Sequence, residues 1–148
     1  MAVPERLKLS LPRRNFPVAG PAWAGANSTI TVNGRPWNGR VIPGRFARLE
    51  REWKPNDEVV LTLDQPLRLE PLSAAHPELV ALMRGPRALF AADALDVPVT
   101  RAGLLAARPD PARRETWLAA APDGKEVPFK PFTAIGDETY RLYSPVTV

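Results

Sequence analysis

Leu7, Leu9 and Leu11 alternate with Arg6, Lys8 and Ser10 at the start of the chain. This period of two, with one apolar face, predicts a strand at once. Prolines, glycines, Asn15 and Asn27 break any period over 12–27, which reads as loop. Thr29-Ile30-Thr31-Val32 is a β-branched strand, and Asn33-Gly34 after it is the strongest short hairpin signal, since both residues accept positive φ. A turn at Pro43-Gly44 leads to a strand over 46–53, with Ala47, Leu49 and Trp53 on one side and Arg48, Glu50 and Glu52 on the other. The Lys54-Pro55-Asn56-Asp57 turn precedes the apolar strand 59–63. Further strands are expected at 67–72, 79–83, 89–92, 117–120, 126–129 and 140–143, with a turn at Pro122-Asp123-Gly124-Lys125. Residues 93–114 lack a strand period and read as a long surface loop with one helical turn near 101–107. The core is expected to hold Ile30, Val32, Leu49, Trp53, Val59, Leu61, Leu63, Leu82, Leu89 and Trp117.

Composition sharpens this picture. Eighteen of the 148 residues are proline, roughly 12% against a usual ~5%. Proline ends helices and avoids central strand positions, so long helices are excluded and helix is expected to stay under ~15%. About nine short strands, with turn signals every ~8–12 residues, predict an all-β chain. The expected form is a single antiparallel two-layer β-sandwich domain, jelly-roll-like, spanning residues 1–148. Apolar residues at 45% and charged residues at 24% exclude a disordered or fibrous chain. No apolar run approaches the ~20 residues of a membrane helix, so no membrane partner is expected. The N-terminus has no signal-peptide pattern. A strand at the first residues is expected of a segment belonging to a longer protein. Cysteine is absent, which removes disulfides and thiolate chemistry and leaves the compartment open, the cytoplasm being favoured.

The net charge of +4 lies in residues 1–70, which carry 11 basic and 7 acidic side chains; residues 71–148 carry 9 of each. That is a solvated face rather than the basic stripe of a nucleic-acid binder.

The chemistry on offer is sparse. His76, the only histidine, sits in Ala75-His76-Pro77 with no nucleophile elbow to serve, and reads as a loop residue. Asp137-Glu138 is the closest acidic pair, but neighbouring strand positions point to opposite faces, so a turn or salt-bridge role is expected. The glycines are scattered singly, with no phosphate cradle. No catalytic, cofactor-binding or metal-binding residue is therefore expected. The tryptophans remain. Trp53 and Trp117 fall within expected strands and read as core; Trp23 and Trp37 lie in glycine- and proline-rich loops and are the candidate sugar contacts.

Several segments occur in an order that resembles the C-terminal β-domain of the bacterial β-L-arabinofuranosidase-like family, glycoside hydrolase family 127. They are Thr31-Val32-Asn33-Gly34, Pro43-Gly44-Arg45-Phe46, the run from Arg51 through Trp53 to Asp57, Arg84-Gly85-Pro86, and the run from Pro131-Phe132 through Ile135, Asp137 and Glu138 to Tyr140. Two features depart from the pattern. Leu11-Pro12 stands far from Trp23, and Leu89-Phe90 stands where a tyrosine is usual. The resemblance implies that catalysis belongs to a preceding (α/α) barrel with a zinc-bound cysteine and a glutamate, none of which has a counterpart here. It further implies a non-catalytic accessory domain, partnered by that barrel or by a second copy in a homodimer. A carbohydrate-binding module using exposed loop aromatics is the alternative.

Overall fold

The computed structural model describes residues 5–9 and 16–147. The chain is all-β: among the described residues strands account for 46% and helix for 6%. The backbone forms two compact units, residues 2–66 and residues 67–148.

The first unit contains β1 (Glu5–Leu9), β2 (Phe16–Ala19), β3 (Thr29–Val32), β4 (Arg35–Pro36), β5 (Phe46–Leu49) and β6 (Val59–Leu63). A four-stranded antiparallel sheet runs β1-β6-β3-β4, and β2 pairs with β5 in a second, two-stranded sheet. Inward positions of both sheets meet in one core: Val18 from β2, Ile30 and Val32 from β3, Ala47 and Leu49 from β5, Val59 and Leu61 from β6, closed by Val41. Alternation makes this possible, since β3 and β5 each bury every second residue. The β3–β4 turn is the tight hairpin expected, with Asn33 at φ 50° and Gly34 at φ 75°. Below it, the hydroxyl of buried Ser28 donates to Gly25 O at 2.8 Å and accepts from Asp64 N at 3.0 Å. That tethers the loop before β3 to the end of β6.

The second unit contains β7 (Leu67–Ser73), β8 (His76–Arg84), β9 (Arg87–Ala92), β10 (Val99–Thr100), α1 (Arg101–Leu105), β11 (Arg108–Pro109), β12 (Trp117–Ala120), β13 (Glu126–Pro131), a 3-10 turn at Phe132–Ala134, β14 (Tyr140–Arg141) and β15 (Tyr143–Thr147). The sheet runs β10-β15-β8-β9-β13-β12-β11, with β7 beside β8 and β14 beside β9. Pairing is antiparallel except for the two-residue parallel match of β10 with β15. β8 pairs with β15 through Leu79–Ala81 and with β9 through Leu82–Arg84. A strand that changes partner midway lets one sheet wrap around a core. That core holds Val80, Leu82, Leu89, Trp117, Val127 and Phe129, together with Val99 and Leu104.

The structure corrects several expectations. In residues 93–114 the helical turn expected near 101–107 forms as α1, but the segment also holds β10 and β11 and is not all at the surface. Thr100 Oγ1 accepts from Gly103 N at 3.0 Å and starts α1, which delivers fully buried Leu104 to the core. Gly103 allows the approach, since a Cβ there would lie 2.4 Å from Ala120 O. The strand expected over 46–53 stops at Leu49, so Trp53 lies in the following loop and is half-buried. Leu63 is likewise half-buried, while the other eight expected core residues are buried. Part of the expected loop 12–27 is β2, where Pro17 is tolerated because that two-stranded pairing leaves an open edge. The strand expected over 140–143 is two strands, β14 and β15. Leu11 lies outside the described residues.

Candidate functional site

Two of the segments that carry the family resemblance, residues 31–34 and 51–57, contact one another. Asn33, in the β3–β4 turn, donates its side-chain amide to Asp57 Oδ1 at 2.7 Å and accepts Glu58 N–H on its oxygen at 2.8 Å. Asp57 Oδ2 accepts Lys54 N–H at 2.9 Å and faces Arg51 Nη2 at 3.5 Å. The backbone donor and the Asn33 amide hold the Asp57 carboxyl below the ordinary carboxylate range, with Arg51 adding to the effect. The Arg51 guanidinium also lies 5.1 Å from the centre of the Trp53 ring. The spacing from Arg51 to Asp57 is therefore that of a closed turn clamped by Asn33. Both Asp57 carboxylate oxygens are occupied in closing that turn.

The candidate sugar contacts are placed separately. Trp23 is half-buried in the turn closed by Ala24 N–H to Pro21 O at 3.0 Å. Trp37 is half-buried against the first core and lies over Gly39, where a Cβ would come within 1.9 Å of the indole. Among the described residues, the ring–ring contacts join neither of them.

The rings that do meet are Phe90, Phe132 and Tyr140, with centroids 5.7–5.8 Å apart. β9 positions Phe90 directly across from Lys130 of β13, and β14 places Tyr140 across from Ala92. The 3-10 turn, closed by Ile135 N–H to Phe132 O at 3.1 Å, folds Phe132 back beside them. Phe132 is 60% exposed and Tyr140 49%, while Phe90 is half-buried beneath them. At their edge Lys130 Nζ pairs with Glu138 Oε1, and Glu138 Oε2 accepts Gly136 N–H at 2.5 Å. The Lys130 hydrogen bond, with the backbone donors behind it, pulls the Glu138 carboxyl down to about 2. Glu138 thus has the salt-bridge role expected of the Asp137-Glu138 pair. Sequence reading treated Phe132 only as a family marker, and counted Tyr140 among the aromatics able to stack on a sugar without pairing it with Phe132 or Phe90. The available signal was two aromatic residues eight positions apart across a turn, with Phe90 inside an expected strand.

His76 is exposed on the β7–β8 hairpin, 3.2 Å from Glu78 Oε1. Among the described residues no three histidine, aspartate or glutamate side chains converge as a metal site. Arg84 of the Arg84-Gly85-Pro86 segment places its guanidinium 5.1 Å from the Trp117 ring centre. Gly85 takes φ 55°, and its carbonyl accepts Arg68 Nη1 at 2.5 Å. That motif too is structural.

A family model described as "Beta-L-arabinofuranosidase, GH127 middle domain" matches residues 10–65. No curated protein matches. Among solved structures, one described as a glycoside hydrolase aligns with TM-score 0.65 at 18% identity, over 97% of this chain and 30% of that one. A GH127 β-L-arabinofuranosidase from Geobacillus stearothermophilus T6 aligns with TM-score 0.64 at 18% identity, over 96% of this chain and 27% of that one. Another GH127 β-arabinofuranosidase aligns with TM-score 0.57 at 19% identity, over 97% of this chain and 30% of that one. At such identities the likeness is one of fold. This chain spans less than a third of the length of these solved relatives. The matching family model is named for a middle domain, not for a C-terminal one, and it stops short of the second compact unit.

Proposed function

We propose that this chain is the non-catalytic β-portion of a glycoside hydrolase similar to the GH127 β-L-arabinofuranosidases. In this reading it follows a catalytic (α/α) barrel, residues 10–65 serve as the middle domain, and residues 67–148 form the part that comes after it. The observation that carries this is one of proportion: nearly all of this chain aligns with under a third of a glycoside hydrolase. The residues support it. The motif carboxylate Asp57 is occupied in closing a turn, and Glu138 is fixed in its charged form by Lys130, so neither is poised to donate a proton near neutral pH.

The element best suited to hold the barrel is the β7–β8 hairpin. Residues 70–78 are exposed without interruption, and a two-stranded arm with neither face covered is marginal alone. Arg101 steadies it near its tip by donating to Pro77 O. Docking against the barrel of the same polypeptide would cover Leu72, an exposed leucine on that arm.

The test is an assay of the purified chain on aryl β-L-arabinofuranosides, with and without zinc. No turnover is expected in either arm. Turnover that co-purifies with the chain and disappears in Glu138→Gln overturns the proposal.

A further inference from the structure

We propose that Phe90, Phe132 and Tyr140, with the Lys130–Glu138 pair at their edge, form a binding site for a neutral sugar ring. The accessory-domain reading guides only the choice of furanoside as first probe. The site itself is argued from the second compact unit alone.

Two exposed rings standing on a third are preorganised apolar surface. A sugar presents just such a partner: C–H groups on one face, and hydroxyls around the rim that need directional donors and acceptors. Aromatic side chains supply the first at low entropic cost. The second is already in place. The Lys130 and Glu138 side chains are only 14% and 22% exposed and hold each other in position. The ammonium has protons beyond the one given to Glu138, and the carboxylate oxygens have lone pairs beyond those used by Lys130 and Gly136. A hydroxyl at the rim can therefore both accept and donate without any side chain being reordered.

The charge pattern selects among ligands. Lys130 is neutralised by Glu138, and residues 71–148 carry equal numbers of basic and acidic groups. An anionic ligand finds no net attraction here, whereas a neutral polyhydroxyl ligand incurs no electrostatic penalty. A protein partner would need about 800 Å² on its side of a stable interface, far more than three rings and one ion pair supply. Trp23 and Trp37 offer no comparable arrangement, being half-buried and apart from any ring contact.

The experiment is a titration of isotope-labelled protein, followed by amide chemical shifts, with methyl β-L-arabinofuranoside in one arm and xylo-oligosaccharides in another. Shifts are expected at Phe132, Ile135, Gly136, Glu138 and Tyr140. Phe132→Ala and Tyr140→Ala are each expected to weaken binding at least ~10-fold, or about 1.4 kcal/mol, with the urea midpoint nearly unchanged because both rings are largely exposed. Phe132→Leu keeps the apolar bulk without the ring face, and the same loss there shows that stacking rather than folding is at stake. Trp37→Ala should leave the affinity as it was. Binding of xylo-oligosaccharides without the furanoside upholds the site while detaching it from the arabinofuranosidase reading. No shifts at these residues with either sugar at tens of millimolar, or shifts centred on Trp23 and Trp37, overturn the proposal.

Discussion

Asp57 in residues 2–66 and Glu138 in residues 67–148 are both pulled below their ordinary range, and the two are used in opposite ways. In residues 2–66, Asp57 is locked by Lys54 N–H and the Asn33 amide, and the effect is to close a turn. In residues 67–148, Glu138 is locked by Lys130 and Gly136 at the edge of rings that stay exposed. The aromatic neighbour decides which role results. Trp53 is folded against the first core and shielded further by Arg51. Phe132 and Tyr140 rest on Phe90 and point their remaining surface outward. A distinctive motif is thus evidence of a scaffold until its rings are shown to be free. The family-model match falls on the unit whose motif is consumed by folding.

The sharpest break of this comparison comes from the second core. Phe129 is among the largest fully buried side chains. Phe129→Ala should cost about 3–5 kcal/mol, the usual penalty for deleting a core aromatic. Amide hydrogen exchange localises it, with protection falling in β9, β12 and β13 and persisting in β3 and β6. Equal loss in both sets would show that the two units do not open separately.

Trp53→Ala should cost less, about 2 kcal/mol. The indole is half-buried rather than buried, and its N–H is shut from solvent with no acceptor among the described residues, so truncation also removes an unsatisfied donor. The Arg51 contact, of order 0.5–1 kcal/mol, is lost with it. A urea midpoint shift as large as that of Phe129→Ala would place Trp53 in the core after all.

Asn33→Ala should follow, at about 1–2 kcal/mol, from exposed hydrogen bonds to Asp57 and Glu58 and from placing alanine at φ 50°. Asn33→Gly separates the two causes, because glycine removes the bonds but accepts the backbone. If glycine proves as stable as the parent chain in urea melts, the amide clamp contributes nothing and the motif needs another explanation.

Much of this was legible in the chain. Period-two alternation around Ile30 and Val32, the Asn33-Gly34 turn and the proline spacing identify an all-β fold, because they act through local geometry. Leu104 was not legible in the same way. A helical turn near 101–107 was expected, but a five-residue helix is too short for its period to single out a buried side chain. The end of β5 at Leu49 was hidden because alternation continues through Glu50 and Glu52, although the chain has already left the sheet to form the Asp57 turn. The aromatic site was out of reach for a third reason. Phe90, Phe132 and Tyr140 come from three elements, and β9 meets β14 only through long-range pairing.

The smallest expected effect tests the second carboxylate through pH. In the folded chain Glu138 titrates at about 2, below its ordinary 4.5. Protonation therefore favours the unfolded chain. The stability that Glu138 contributes is fully present above pH 4.5 and is lost as the pH falls toward 2. Glu138→Gln cannot make this transition. The gap in urea midpoint between the parent chain and Glu138→Gln should be widest near pH 6 and should narrow as the pH approaches 2. Asp57, Glu78, Asp110 and Asp123 are also held below their ordinary range, so the variant keeps some acid sensitivity of its own, and the narrowing gap is the diagnostic. Asp57→Asn provides the matching measurement in the first unit. If the Glu138→Gln gap stays constant from pH 6 to pH 2, the Lys130–Glu138 pair is not the ordered rim described here. The sugar site would then lose the fixed polar groups on which its selectivity for a neutral ring depends.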